Sequence, residues 1–288
     1  MPVRVHYFTD PACSASWAAE PVLRRLMVEF GADLSFTYVM GGLARDYSQG
    51  YEDTEMRIGG SREVFHSLLL HWLERAEESG MPIDPRLWAE GPIGTTYPAC
   101  MAVKAAGEQG PEAEARYLRT VREGLLCFRR KLDTTEALVE EARRARLDVA
   151  RFRIDLGSHA AVEAFGADLD LTRTIPAQAH ERAGAKEGQG GERLVFPSAR
   201  FGESHWVFGL RPYGEWREAA LAAGAARSGE GPPDPLAALR RFGTMATAEV
   251  AAVCDLPGPS AAAALWRLAS ELRVKQVRVL TGDLWQLA

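Results

Sequence analysis

The stretch FTDPACSASWAAEPVLRRL, residues 8–26, decides the fold. It joins the end of a strand to the start of a helix through a break at Asp10-Pro11-Ala12. Before it, residues 3–9 alternate and are rich in β-formers. Val3, Val5, Tyr7 and Phe8 supply apolar surface, and the segment predicts a strand. After Cys13, the apolar residues Trp17, Ala18, Val22, Leu26 and Phe30 recur at helical spacing and predict a helix over residues 14–30. Pro21 removes a hydrogen-bond donor inside that helix and predicts a kink, and Gly31 stops it. Residues 34–40, LSFTYVM, predict a second strand ended by Gly41-Gly42. A strand, a short helical crossover and a strand form a βαβ unit, which favours parallel strands.

Working outward, the pattern is helical from about residue 51 to 173, with helices expected over 61–79, 98–109, 112–128, 134–145, 149–156 and 158–179. Asp133-Thr134-Thr135-Glu136 is an amino-terminal helix signal. Residues 194–201 (LVFPSARF) and 204–208 (SHWVF) then predict two strands of a hairpin, followed by a helix over 213–223. The chain is therefore expected to be α/β. Residues 1–48 and 180–224 form one discontinuous unit, and 49–179 are a helical insertion. The Gly-, Pro- and charge-rich segment 225–234 reads as a linker. In the last module, 235–288, helices are expected over 236–242, 247–254 and 259–272, with Thr244 or Thr247 as a cap of the second. Strands at 273–280 and 284–287 follow, and this order is that of a winged helix.

The hydrophobic share of 47% and a net charge of only −5 suit a globular protein without a basic field for nucleic acid or an anionic membrane surface. The last module carries six bases against four acids, and its third helix has Arg267 as its base, so the charge argues against nucleic acid and for packing or a protein partner. No apolar run reaches the roughly 18 residues of a membrane span, and the start MPVRVHYFTD lacks a secretory pattern. The four cysteines, Cys13, Cys100, Cys127 and Cys254, lie far apart without zinc or dithiol spacing. A cytoplasmic protein with reduced thiols is expected. His66 and His71 are five apart and share a helix face poorly, so no metal site is expected. Gly188, Gly190 and Gly191 read as a loop without the context of a phosphate site.

The residues FTDPACSASWAAEPVLRRL, with TYPACMAVKAA and YLRTVREGLLCFRRKLDTTEALVEEARRARLD further on, resemble the DsbA-like thioredoxin superfamily. The likeness is to its cytoplasmic branch related to FrnE and the YjbH adaptor, and it covers roughly residues 3–224. It implies a thioredoxin fold with a large helical insertion. It also implies an active site at Cys13 and a cis peptide bond before Pro197. There Phe196 and Pro197, with Trp17 of the nucleophile motif, meet a bound peptide that pairs with the exposed main chain.

The chain departs from the family at the second cysteine: Cys-x-x-Cys becomes Cys13-Ser14-Ala15-Ser16. A thiol in the first turn of a helix faces unpaired N–H groups and the positive end of the dipole, which favour thiolate. Cys13 is thus expected at a helix amino terminus, partly exposed and with a depressed pKa. Ser16 cannot release a mixed disulfide and is expected to cap or hydrogen-bond locally. Release needs glutathione, another small thiol or a distant cysteine. Cys100, Cys127 and Cys254 lie on apolar helical patterns and read as structural.

Three functions follow. The first is a monothiol thiol–disulfide oxidoreductase acting through Cys13 on a protein thiol or disulfide. The second is a redox-inactive adaptor or peptide-binding scaffold for a protein partner. The third is a glutathione-using transferase or isomerase of the kappa kind, in which serine serves at the active site. The retained Cys13 speaks against the third.

Overall fold

The computed structural model describes residues 1–49 and 61–288. The part of the expected helical block at 51–60 lies outside the described residues. The strand β1, Val3–Thr9, pairs in parallel with β2, Leu34–Met40, in the register Val3↔Leu34 to Thr9↔Met40. On its other side β1 pairs antiparallel with β5, Ser198–Phe201, which pairs with β6, His205–Phe208. The order is β2-β1-β5-β6. A strand held on both sides and covered on both faces is apolar at successive positions: Tyr7 and Phe8 are both buried.

The helix expected over 14–30 is two helices, α1, Ser14–Ala18, and α2, Glu20–Phe30. Pro21 sits in the first turn of α2, where its missing N–H costs nothing. The kink expected there is therefore a break at Ala19. Gly31 ends α2 with φ +53°.

The single strand expected over 194–201 is divided. Gly191–Leu194 (β4) pairs with Ala185–Gly188 (β3) in a separate two-stranded hairpin, so part of the expected glycine loop is strand. The chain turns at Val195, Phe196 and Pro197, and β5 begins at Ser198. Proline has no N–H to continue a ladder, and the Phe196–Pro197 bond is cis.

The helical block contains α3, Ser61–Ser79; α4, Leu87–Glu90; α5, Tyr97–Gly107; α6, Pro111–Arg122; α7, Thr135–Arg144; α8, Val149–Leu156; and α9, His159–Arg173. The one-turn helix α4 gives no periodic signal in sequence. Helix α5 is buried nearly all round, with Cys100, Ala102, Val103, Ala105 and Ala106 inaccessible. The helix expected over 112–128 stays α-helical to Arg122 and widens into a π turn, Glu123–Cys127. A Cβ on Gly124 would lie 2.7 Å from Leu132, so the glycine lets the returning chain cross this turn closely. The helix expected over 158–179 ends at Arg173. Pro176 disfavours helix in the residue before it, and a short α10, Ala177–Glu181, follows. The carboxylate of Asp148 and the hydroxyls of Thr134 and Ser158 accept main-chain N–H groups and start α8, α7 and α9 respectively. No helix among the described residues is long and apolar enough to cross a membrane.

After α11, Tyr213–Ala222, the chain runs along α2: Ser228 N–H donates to Glu29 O and Arg227 pairs with Glu29. Then come α12, Pro235–Phe242; β7, Met245–Ala246; α13, Thr247–Val253; α14, Gly258–Ser270; β8, Val274–Val279; and β9, Gly282–Leu287. The sheet order is β7-β9-β8. Leu239, Met245, Val250, Leu265 and Trp285 form a core that also takes in Val28 of α2. Neither threonine caps α13. Ala246 holds the cap position and its N–H donates to Glu249 Oε2 at 2.6 Å, while Thr247 Oγ1 accepts from Trp285 Nε1 at 2.9 Å.

Glu249 is fully buried and also receives Arg24 and Arg119, each at 2.9 Å. Removing one partner of a buried pair leaves uncompensated charge. Glu249→Ala is therefore expected to cost about 3–5 kcal/mol in urea unfolding. A change within about 0.5 kcal/mol, the scatter of ordinary surface substitutions, would contradict that account.

Candidate active site

Asp10 organises the loop that presents Cys13. Its carboxylate is fully buried and accepts from Ala12 N at 2.8 Å, Leu43 N at 2.7 Å and Thr96 Oγ1 at 2.9 Å. The Cys100 thiol also donates to it, at 3.3 Å. Burial pushes the Asp10 carboxyl up, although these donors oppose the shift. Burial, reinforced by Asp10, also pushes the Cys100 thiol well up. Cys100 is thus held as a thiol that ties α5 to the loop, in agreement with its structural reading.

Cys13 N–H donates to Asp10 O at 3.2 Å, and Cys13 occupies the cap position of α1. Its Sγ accepts from Ser16 N–H at 3.4 Å and lies 3.9 Å from Phe196 O, within reach of a weak S–H donation. The structure therefore brings Cys13 to the cis-proline turn and to a helix amino terminus. It does not leave the thiol partly exposed, since Cys13 is only 7% exposed. The Phe196 ring is seated on Gly41, where any Cβ would lie 1.8 Å from it, and the Arg193 guanidinium covers the ring at 4.3 Å. Phe196 and Pro197 are both buried.

Ser16 is inaccessible. Its hydroxyl has no partner among the described residues, and its main-chain N–H makes the local bond instead. Trp17 is also fully buried. Its Nε1 donates to Pro82 O at 3.0 Å, and the Arg119 guanidinium lies 4.3 Å above the ring. Cys127 donates to the same Pro82 carbonyl at 3.2 Å, and burial first, then Glu123, pushes its thiol well up. All four cysteines are free.

Behind the loop, Arg122 is 1% exposed and donates to Glu20 Oε1 at 2.5 Å and to Thr9 Oγ1. Burial works to raise the Glu20 carboxyl, but Arg122, Arg119 and Arg24 outweigh it and hold it below the usual range. Sequence reasoning missed Asp10, Glu20, Arg119 and Arg122. Asp10 alone had a local signal, standing before a proline and three residues from a cysteine.

A carboxyl whose folded pKa is raised contributes stability that is present below its unfolded pKa. That contribution is lost as pH rises through the folded pKa. The stability of wild type relative to Asp10→Asn is therefore expected to fall as pH rises from 4, by up to about 1.4 kcal/mol per pH unit for one proton. Urea midpoints of the two proteins measured across that range check this, and parallel curves would contradict it.

The model of a family described as thioredoxin matches residues 6–180. A ClpXP adapter protein SpxH of Halalkalibacterium halodurans is 33% identical over 180 residues, covering 60% of this chain and 55% of that protein. The chain thus spans about half the length of that relative. The ClpXP adapter protein SpxH of Shouchella clausii is 27% identical over 292 residues, covering 99% of this chain and 88% of that one. Among solved structures, a Nitrosomonas europaea protein named as a candidate protein disulfide isomerase superposes with a TM-score of 0.58 at 19% identity, covering 77% of this chain and 97% of that one. A candidate DsbA oxidoreductase of Streptomyces coelicolor gives 0.54 at 17%, covering 81% and 94%. With a family match over more than half its length and a βαβ unit joined to an antiparallel hairpin around Cys13 and a cis-proline, the chain belongs to the thioredoxin family, and its fold matches that of DsbA-like structures.

Proposed function

We propose that the protein is an adaptor of the DsbA-like kind, which holds a segment of a client protein at the Phe196–Pro197 turn and delivers the client to a ClpXP-type protease in the cytoplasm. In this reading residues 1–48 and 180–224 carry the turn, and the described residues of 49–179 wall it. Residues 235–288, joined through 225–234, brace it. The observation that carries the reading is the lack of a second working thiol. Ser16 fills the resolving position; Cys100 and Cys127 are buried, protonated and bonded to Asp10 and Pro82, and Cys254 lies in the carboxy-terminal core with burial pushing its thiol up to about 11. Without a resolving thiolate, an adduct on Cys13 waits for an external thiol. The names of the curated relatives support the same reading.

A second reading is a monothiol oxidoreductase, in which glutathione or another small thiol releases the adduct from Cys13. The Ser16 N–H bond to Cys13 Sγ favours it. Two assays on wild type, Cys13→Ala and Ser16→Cys separate the readings. As an adaptor, wild type and Cys13→Ala are expected to accelerate degradation of a captured client by purified ClpXP equally, and neither to reduce insulin. Ser16→Cys is expected to gain insulin reduction of about tenfold or more, because a neighbouring thiol acts at high effective concentration. Insulin turnover by wild type that is lost in Cys13→Ala would transfer the assignment to the oxidoreductase.

A further inference from the structure

The two larger sheets end in different kinds of edge. Carbonyls of β6, an outer strand of the main sheet, and of Ser204 just before it are occupied by side chains: Gln178 donates to Ser204 O, Arg182 to Trp206 O at 3.1 Å and Arg211 to Phe208 O at 3.0 Å. Such cover blunts an edge against further strands. The outer strand β8 of the carboxy-terminal sheet has none. Among the described residues, no group outside β9 bonds to the main chain of Val274–Val279. A bare edge offers a row of N–H and C=O groups to an extended chain.

The side chains on β8 restrict what pairs with it. Lys275 and Arg278 are exposed, and they lie three apart, so they project from opposite faces of the strand. Arg278 is 70% exposed, whereas its partner Asp283 is 18% exposed. At the end of β8, Arg278 and Leu280 form one wall of a cleft of about 430 Å³, with Asp84, Arg86, Phe128 and Arg129 opposite. Here Asp84 lies beneath the cations, whereas Glu90 is exposed beside Arg129. Asp84 is 6% exposed, Arg86 46% and Arg129 36%, with Glu90, at 54%, paired to Arg129. The strand β8 carries Lys275 and Arg278 and no acidic residue, so a second copy supplies no opposite charge to either. An acidic strand matches both.

We propose that the edge of β8 and the cleft at its end are a docking surface for an extended acidic segment of a protein partner, added as a fourth strand to the carboxy-terminal sheet. The acidic side chains face Lys275 on one side and Arg278 on the other. An apolar residue of the segment covers Leu280, and the segment runs on into the arginine-lined cleft. This surface is separate from the Phe196–Pro197 turn and stands whether or not that turn holds a client.

The test uses the full chain and two fluorescein-labelled octapeptides, one alternating glutamate with valine and one alternating lysine with valine. The acidic peptide is expected to bind and to slow amide exchange at residues 275–279. Its affinity is expected to fall with added salt and to drop at least tenfold in Arg86→Glu/Arg278→Glu, which is checked for an unchanged circular dichroism spectrum. Cys13→Ala is expected to bind it as wild type does, which separates this surface from the Cys13 turn. Four results would overturn the proposal: equal binding of the lysine peptide, no protection at 275–279, protection of those amides by a concentration-dependent dimer, or binding of a DNA duplex there in place of the peptide.

Discussion

The position of Arg119 is the constraint on which the rest of the structure depends. Its guanidinium lies over Trp17 and forms two bonds to Glu249, with further pairs to Glu20 and Glu123 and a donation to Thr244 O. These partners come from the nucleophile helices, the helical block and the carboxy-terminal module. Around it Glu20, Glu123 and Glu249 balance Arg24, Arg119 and Arg122. Burial works to lower the Arg119 pKa, but Glu249, Glu123 and Glu20 outweigh it and hold the group charged. Pairs of this kind gain little net energy over apolar packing, because desolvation offsets the attraction. Their consequence is geometric. Three segments distant in sequence meet in one arrangement, since any other leaves a charge buried and unpaired.

That arrangement reaches the thiol through short paths. Trp17 follows the Cys13–Ser16 motif directly and is fixed by Arg119 on its face and Pro82 at its edge. Arg122, one turn from Arg119 on α6, ties Thr9 at the end of β1 to Glu20 of α2. From the other side Asp10 collects donors from its own loop and from two further segments, at Leu43 and at Thr96 with Cys100. The loop carrying Cys13 is therefore overdetermined, and the Phe196 turn closes over it. The thiol of Cys13 is buried within a frame fixed from both sides.

The same fold supports oxidation, reduction, isomerisation and recognition, so the function lies in the site. Here Ser16 stands at the position where the resemblance expects a second cysteine, within the same frame of strand, helix and cis-proline turn. Its hydroxyl makes no hydrogen bond among the described residues.

The sequence by itself determined the βαβ start, the helical block, the returning hairpin and the carboxy-terminal helices with their closing hairpin, but not the short strand β7 between the first two of them. Each of these rests on local periodicity and turn residues. It also placed Cys13 at a helix cap and singled out Phe196-Pro197, and the structure brings these together with Cys13 Sγ 3.9 Å from Phe196 O. Where local signals competed, the reading joined what is divided. Pro21, Pro176 and Pro197 each break an element whose apolar pattern runs straight through, because proline's ring and its missing N–H override side-chain periodicity. Only the tertiary structure decided how far the thiol is buried, which carboxylates surround it and what holds the last module in place. Arg119 and Glu249 are 130 residues apart, and Asp10 and Cys100 are 90 apart. An ion pair or a buried hydrogen bond forms between groups that folding brings together. Nothing within a turn or two of either residue reveals its partner.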